Sequence, residues 1–253
     1  MEPVGGQARD RSRELRKAQE AIAAQRGRRR PVLIGGAVII AGLLLAIVIT
    51  VVNAAGGSDG SGGALVVPQG ATAGGALTVG QADAPVRLEV YLDYMCPYCG
   101  RFERADSGEI DKLVAAGTVR LELHPLAFLD RMSDGSRYST RAANAVVTVA
   151  DRAPAQLSAL SAALFANQPE EGKSGLTDAR IAELAQQAGV PQQVVDVFPD
   201  RIFEPWIARS TEAAFDSGIT GTPTVRINGT AFTGDLYTAG PLTQAINAAT
   251  GTQ

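Results

Sequence analysis

The order of segments predicts an α/β fold behind a single membrane span. Three observations predict it: an apolar run from Val32 to Val52, a strand–helix–strand alternation over residues 86–123, and a helical block that ends in a strand pair around Asn228-Gly229. The chain has 253 residues, 45% hydrophobic and 19% charged. That length allows one or two domains. The formal net charge of −3 is unevenly spread. Residues 1–30 hold nine Lys or Arg against four Asp or Glu, and the rest holds 14 basic and 22 acidic residues. An acidic outer portion argues against nucleic acid as a partner, because phosphate binding needs a basic surface.

Residues 1–30 are polar and show no face to bury, so a disordered cytoplasmic tail is expected. The segment 31–52 follows as a transmembrane anchor. Its 21-residue run from Val32 to Val52, apolar but for the soft spots Gly35, Gly36, Gly42 and Thr50, would span a hydrocarbon core of about 30 Å at about 1.5 Å per residue. A cleaved signal peptide is the competing reading, with Asn53-Ala54-Ala55 as small residues after the run. Its apolar region is usually shorter and its leader brief, whereas thirty residues precede this one. Arg26, Arg28, Arg29 and Arg30 abut the run, and the next basic residue is Arg87. The positive-inside rule then puts the N-terminus in the cytoplasm and the rest outside. Residues 53–75 carry eight glycines and read as a flexible linker.

The outer domain is expected over 76–253. Val86 to Leu92 and Val119 to Leu123 are β-branched and apolar, and predict strands. Between them, Tyr98 to Leu113 predicts a helix. Helical composition and spacing mark 137–150, 155–166, 178–188 and 204–217, with a turn-rich break over 167–175. Thr224 to Ile227 predicts a strand. Asn228-Gly229 is a strong hairpin signal, with 231–233 as the returning strand. A helix over 241–249 closes the chain.

The chemistry centres on Cys96-Pro97-Tyr98-Cys99, which holds the only two cysteines. A disulfide between residues three apart closes almost no loop, so it makes a poor structural staple. The motif follows a strand and opens a helix. Unpaired N–H groups at a helix start stabilise a thiolate and lower its pKa. Pro97 fits the first turn, where a missing N–H costs nothing. The spacing puts Cys99 one turn along on the same side, so its sulfur can attack a mixed disulfide on Cys96. Zinc is the rival ligand for such a pair, but four-coordinate zinc needs two more donors. The chain offers one histidine, His124, so zinc there would need carboxylates or a second chain. No metal or cofactor is expected. His124, before Pro125, reads as a hydrogen-bonded structural residue. Tyr94, Trp206 and Phe215 read as core or groove-lining residues.

Leu92-Asp93-Tyr94-Met95-Cys96-Pro97-Tyr98-Cys99 resembles the active-site approach of DsbA-like proteins, and Gly221-Thr222-Pro223-Thr224 resembles their cis-proline loop. The intervening helical block resembles their inserted helical domain, placed here at about 131–217. The anchor and acidic outer domain are similar to anchored DsbA-like proteins of Gram-positive and actinobacterial type. The resemblance implies a thioredoxin-like fold with Cys96 as nucleophile and Cys99 as resolving thiol. It implies that Pro97 and Tyr98 tune the redox potential. Thr222 and Pro223, the latter after a cis bond, would lie beside the sulfurs and present a backbone edge to extended peptides. Family members often carry a buried acid on the strand before the first cysteine. The matching position here is Val90, and Glu89 should face the other way. Asp93 has two readings, a residue near the site or a polar strand-end residue.

The implied function is disulfide introduction into exported proteins, with recharging by a membrane quinone-linked thiol oxidase of DsbB-like or VKOR-like kind. A reductase or isomerase would use the same thiols, and redox potential separates the two. A peptide-binding chaperone is a third reading. Direct metal delivery is disfavoured, because no His or Met cluster is present.

Overall fold

The computed structural model describes residues 65–251. The tail, the apolar run and most of the expected linker lie outside them. No helix among the described residues is long and apolar enough to cross a membrane.

Five strands form one sheet in the order β1-β3-β2-β4-β5. They are β1 (Leu77–Val79), β2 (Val86–Leu92), β3 (Val119–Pro125), β4 (Thr224–Ile227) and β5 (Thr230–Ala231). Helix α1 (Pro97–Ala115) connects the parallel pair β2 and β3. After β3 come α2 (Tyr138–Arg152), α3 (Leu157–Ala166), α4 (Asp178–Gln187), the short α5 (Gln192–Val195) and α6 (Glu204–Asp216). Helix α7 (Pro241–Thr250) follows the β4–β5 hairpin.

β2 is central, pairing parallel with β3 and antiparallel with β4. It is buried along almost its whole length, which suits its Val, Leu and Tyr content. The hairpin turn has positive φ at both Asn228 and Gly229, the type I′ geometry that the dipeptide favours. Its returning strand is Thr230–Ala231 rather than 231–233, because Ile227 pairs directly with Thr230. β3 runs two residues past its expected end, since Tyr91 and Leu92 of β2 pair with His124 and Pro125.

One boundary differs from expectation. Residues 65–75, expected as linker, already pack on the domain. Pro68 is buried, Gln69 N–H donates to Asp151 Oδ1 at 2.7 Å, and Ala71 bridges to Leu77. The last helix of the block expected at 131–217 packs on α2 and also reaches β3. Ala214 of α6 packs with Tyr91 and Leu126, and Thr211 Oγ1 accepts from Ala127 N–H at 3.1 Å. The helices, α6 included through Trp206 and Ile207, share one continuous apolar core with the sheet. α2 is buried on most sides, at Ala142, Ala143, Val146 and Val147 among others, so the insertion is welded to the sheet rather than set apart.

Candidate active site

Cys96 is the residue that caps α1, with an extended backbone, and Pro97 occupies the first turn. Cys96 carbonyl accepts from Cys99 N–H at 3.0 Å and Gly100 N–H at 3.2 Å, which starts the helix. Both cysteines are free thiols. The bond between Thr222 and Pro223 is cis. Cys96 Sγ donates to Thr222 O at 3.2 Å, although the two residues lie 126 positions apart. The helix start and the proline loop therefore meet. Pro97 and Tyr98 stand at the exposed rim.

The two sulfurs have opposite environments. The Cys96 thiol is lowered to about 6, first by its hydrogen bond with the Cys99 side chain. Thr222 and the backbone N–H groups of Cys99 and Tyr98 add to this against the opposing effect of burial. Burial pushes Cys99 well above the ordinary thiol range. Of the two, Cys96 is therefore the more acidic sulfur and Cys99 the one that holds its proton more tightly. Cys96 is only 5% exposed and Cys99 not at all. The loop holding Thr222 lies against Cys96.

Asp93 is more than a strand-end residue. It is fully buried. Its Oδ1 accepts from Met95 N–H at 2.9 Å and Ser139 Oγ at 2.7 Å, and its Oδ2 accepts from Leu129 N–H at 2.9 Å. One carboxylate thus ties the loop before Cys96 to α2 and to the segment after β3. Burial raises its pKa to about 6 despite those three bonds. Gln168, from the break after α3, acts from the other side. Its Nε2 donates to Tyr94 O at 3.0 Å and to Cys96 O at 2.8 Å. Gly100 makes room for it, because a Cβ there would meet Gln168 Oε1 at 2.5 Å. No local pattern in the sequence marks Gln168 as part of the site.

Val90, at the position of the family acid, lines a cavity of about 50 Å³ together with Phe102, Glu103, Ser107 and Ser161. The strand supplies no acid there; the carboxyl lining this cavity from one turn after Cys99 on α1 is Glu103. Burial, with Asp111 nearby, pushes it up to about 7. Tyr94 is fully buried and bonds Ser161 at 3.1 Å, Trp206 is buried, and Phe215 is exposed. At the rim, Tyr98 and Tyr237 lie 5.8 Å apart between ring centres, with the Arg101 guanidinium 4.4 Å from the Tyr237 ring. His124 departs from expectation. It is buried and stacks on Tyr91 at 4.0 Å, but neither ring nitrogen has a hydrogen-bond partner.

A strand-to-helix dithiol facing a cis-proline loop on this sheet defines a thioredoxin-fold redox protein. A thioredoxin family model matches residues 72–248. The chain belongs to that family and is a DsbA-like thiol–disulfide oxidoreductase. The reduced disulfide bond oxidoreductase DsbG of Mycobacterium tuberculosis is similar at 30% identity and a TM-score of 0.58, over 72% of this chain and 95% of that one. Oxidised DsbA of Mycobacterium tuberculosis is similar at 30% identity and 0.57, over 70% and 98%. The thiol–disulfide oxidoreductase MdbA of Actinomyces oris is similar at 26% identity and 0.62, over 72% and 89%. A stretch of 115 residues is also 39% identical to part of the serine/threonine-protein kinase PknE of Mycobacterium tuberculosis, over 44% of this chain and 20% of that protein. The chain thus spans about a fifth of the length of the curated relatives it matches.

Proposed function

We propose that the protein oxidises dithiols in exported polypeptides, outside the cytoplasm, while held to the membrane by the segment 31–52. The observation that carries this reading is the Cys96 sulfur at the start of α1, 3.2 Å from Thr222 O on the cis-proline loop. In the disulfide form a client thiolate attacks Cys96 Sγ. The Cys96–Cys99 bond breaks, and the electron pair leaves on Cys99, which takes up a proton. A second client thiolate then attacks the client sulfur of the mixed disulfide and releases the Cys96 thiolate. Two electrons have passed from client to protein. Thr222 and Pro223 offer a backbone edge for the extended client, and Pro97 and Tyr98 set how well the thiolate is held. A membrane quinone-linked thiol oxidase of DsbB-like or VKOR-like kind would withdraw the electrons.

A stabilised thiolate favours the reduced form and makes the disulfide oxidising. The Cys96 value of about 6 lies between about 7 for thioredoxin and about 3.5 for the strongest bacterial oxidase. The reduction potential of the full-length protein in detergent should therefore fall between about −270 and about −120 mV. A value at or below the lower figure, with no oxidation of a reduced unfolded client, would establish the reductase reading instead.

A further inference from the structure

The sheet face turned away from α1 buries charge. Arg87, Glu89 and Tyr91 of β2 point to it, as do Arg120, Glu122 and His124 of β3. The register sets Glu89 beside Glu122 and Tyr91 beside His124. Glu89 is 7%, Glu122 5% and His124 4% exposed. Glu122 accepts from Arg120 at Oε1 and from Arg87 at Oε2, the latter at 3.5 Å. Glu89 Oε1 lies 3.6 Å from Arg87 and 3.5 Å from the Tyr91 hydroxyl. Glu89 Oε2 and both His124 nitrogens have no hydrogen-bond partner. Leaving such groups unpaired costs about 1–3 kcal/mol each. One ligand atom from each of Glu89, Glu122 and His124 lies within 4.8 Å of the other two.

We infer that Glu89, Glu122 and His124 form a site for one divalent transition-metal ion of the zinc or manganese class, separate from the dithiol. An imidazole with two carboxylates suits these ions better than calcium or magnesium, which take oxygen alone. Three protein ligands leave a position for water. Donors on one zinc ion sit about 3–4 Å apart at bonds of about 2.0–2.2 Å, so the side chains need to close by roughly an ångström. Arg87 holds the cation's place. Its contacts are long and its side chain is 42% exposed, so it can swing into solvent. Arg120 keeps Glu122 Oε1 and leaves Oε2 free. Arg226 lies over the Tyr91 ring at 5.7 Å, and both His124 ring nitrogens stay without a hydrogen-bond partner.

The test uses the full-length protein in detergent with Cys96 and Cys99 oxidised, so that the thiols take no metal. Calorimetric titration with Zn²⁺, then Mn²⁺, should show one ion per chain, and the Tm should rise with metal concentration. Glu89→Gln should weaken binding by at least about 10-fold, the scale seen when a site loses a supporting group. Arg87→Gln should tighten it, because a competing positive charge is gone. Circular dichroism checks that each variant folds. If Glu89→Gln does not, the exposed Arg87→Gln carries the test. Absence of binding at millimolar metal overturns the inference in favour of a water-bridged cluster. So does binding that Glu89→Gln leaves unchanged, or that Arg87→Gln fails to tighten. Client oxidation, read separately, is untouched by either failure.

Discussion

Against α1 the sheet presents Leu88, Val90, Leu92 and Leu123, while its opposite face presents Glu89, Tyr91, Glu122 and His124. Both faces are buried to within a few percent. The first is held by apolar area, at about 25 cal/mol per Å² removed from water, and any side chain of similar shape would serve it. The second depends on specific partners, since a buried charge is tolerated only when paired. Redox chemistry needs the first kind of surroundings beneath Cys99, where desolvation keeps the thiol protonated, and polar N–H groups only at Cys96. A substitution on one face should act by opening a cavity, and on the other by stranding a partner.

The largest effect expected lies at the dithiol. Cys96→Ser should abolish client oxidation and trap no mixed disulfides, whereas Cys99→Ser should accumulate them because the resolving attack is missing. Non-reducing electrophoresis of acid-quenched cells reads both. The reverse trapping pattern would exchange the two roles.

The next effect compares the faces directly by urea denaturation. Leu88→Ala should cost about 2–5 kcal/mol, as large-to-small core changes do. Glu122→Gln should cost less, about 1–3 kcal/mol, because Arg87 and Arg120 keep partial access to solvent. Equal losses would show that the polar face is as intolerant as the apolar one.

Asp93→Asn should cost about 1–3 kcal/mol in acid, since an amide nitrogen cannot accept the Leu129 N–H. Burial raises the Asp93 pKa to about 6. Its favourable contribution is therefore complete below the ordinary carboxyl value of about 4 and is lost as pH rises through about 6. The deficit of the variant should shrink between pH 4 and pH 8, and a deficit that grows would contradict the assignment.

The smallest effect separates the redox states. The Cys96 pKa is depressed to about 6. Reduced protein should gain its thiolate stabilisation in full above the ordinary thiol value of about 8.5 and lose it as pH falls through about 6. The oxidised protein has no thiol to titrate and should lack that slope. Alkylation of Cys96 by iodoacetamide should have its midpoint near the same lower pH, and a midpoint near the ordinary thiol value would remove the case for an activated thiolate.

The sequence by itself determined whatever is written in adjacent residues. Val86–Leu92 carries its own strand pattern. Cys96-Pro97 specifies a helix start because a proline and an N-cap act within one turn. Asn228-Gly229 specifies its turn through backbone sterics alone. The parts left to the tertiary structure depend on neighbours far along the chain. β1 is three residues flanked by glycine-rich sequence, too short to show a period, and is a strand because β3 offers an edge. Asp93 looks like any strand-end acid until Ser139 and Leu129 arrive to bond it, and Gln168 meets Cys96 only when the insertion folds back. Glu89, Glu122 and His124 become one cluster through the register of two strands joined by α1. A residue's period and turn chemistry are properties of its own backbone, but its burial and charge partners are set by which distant segment packs beside it.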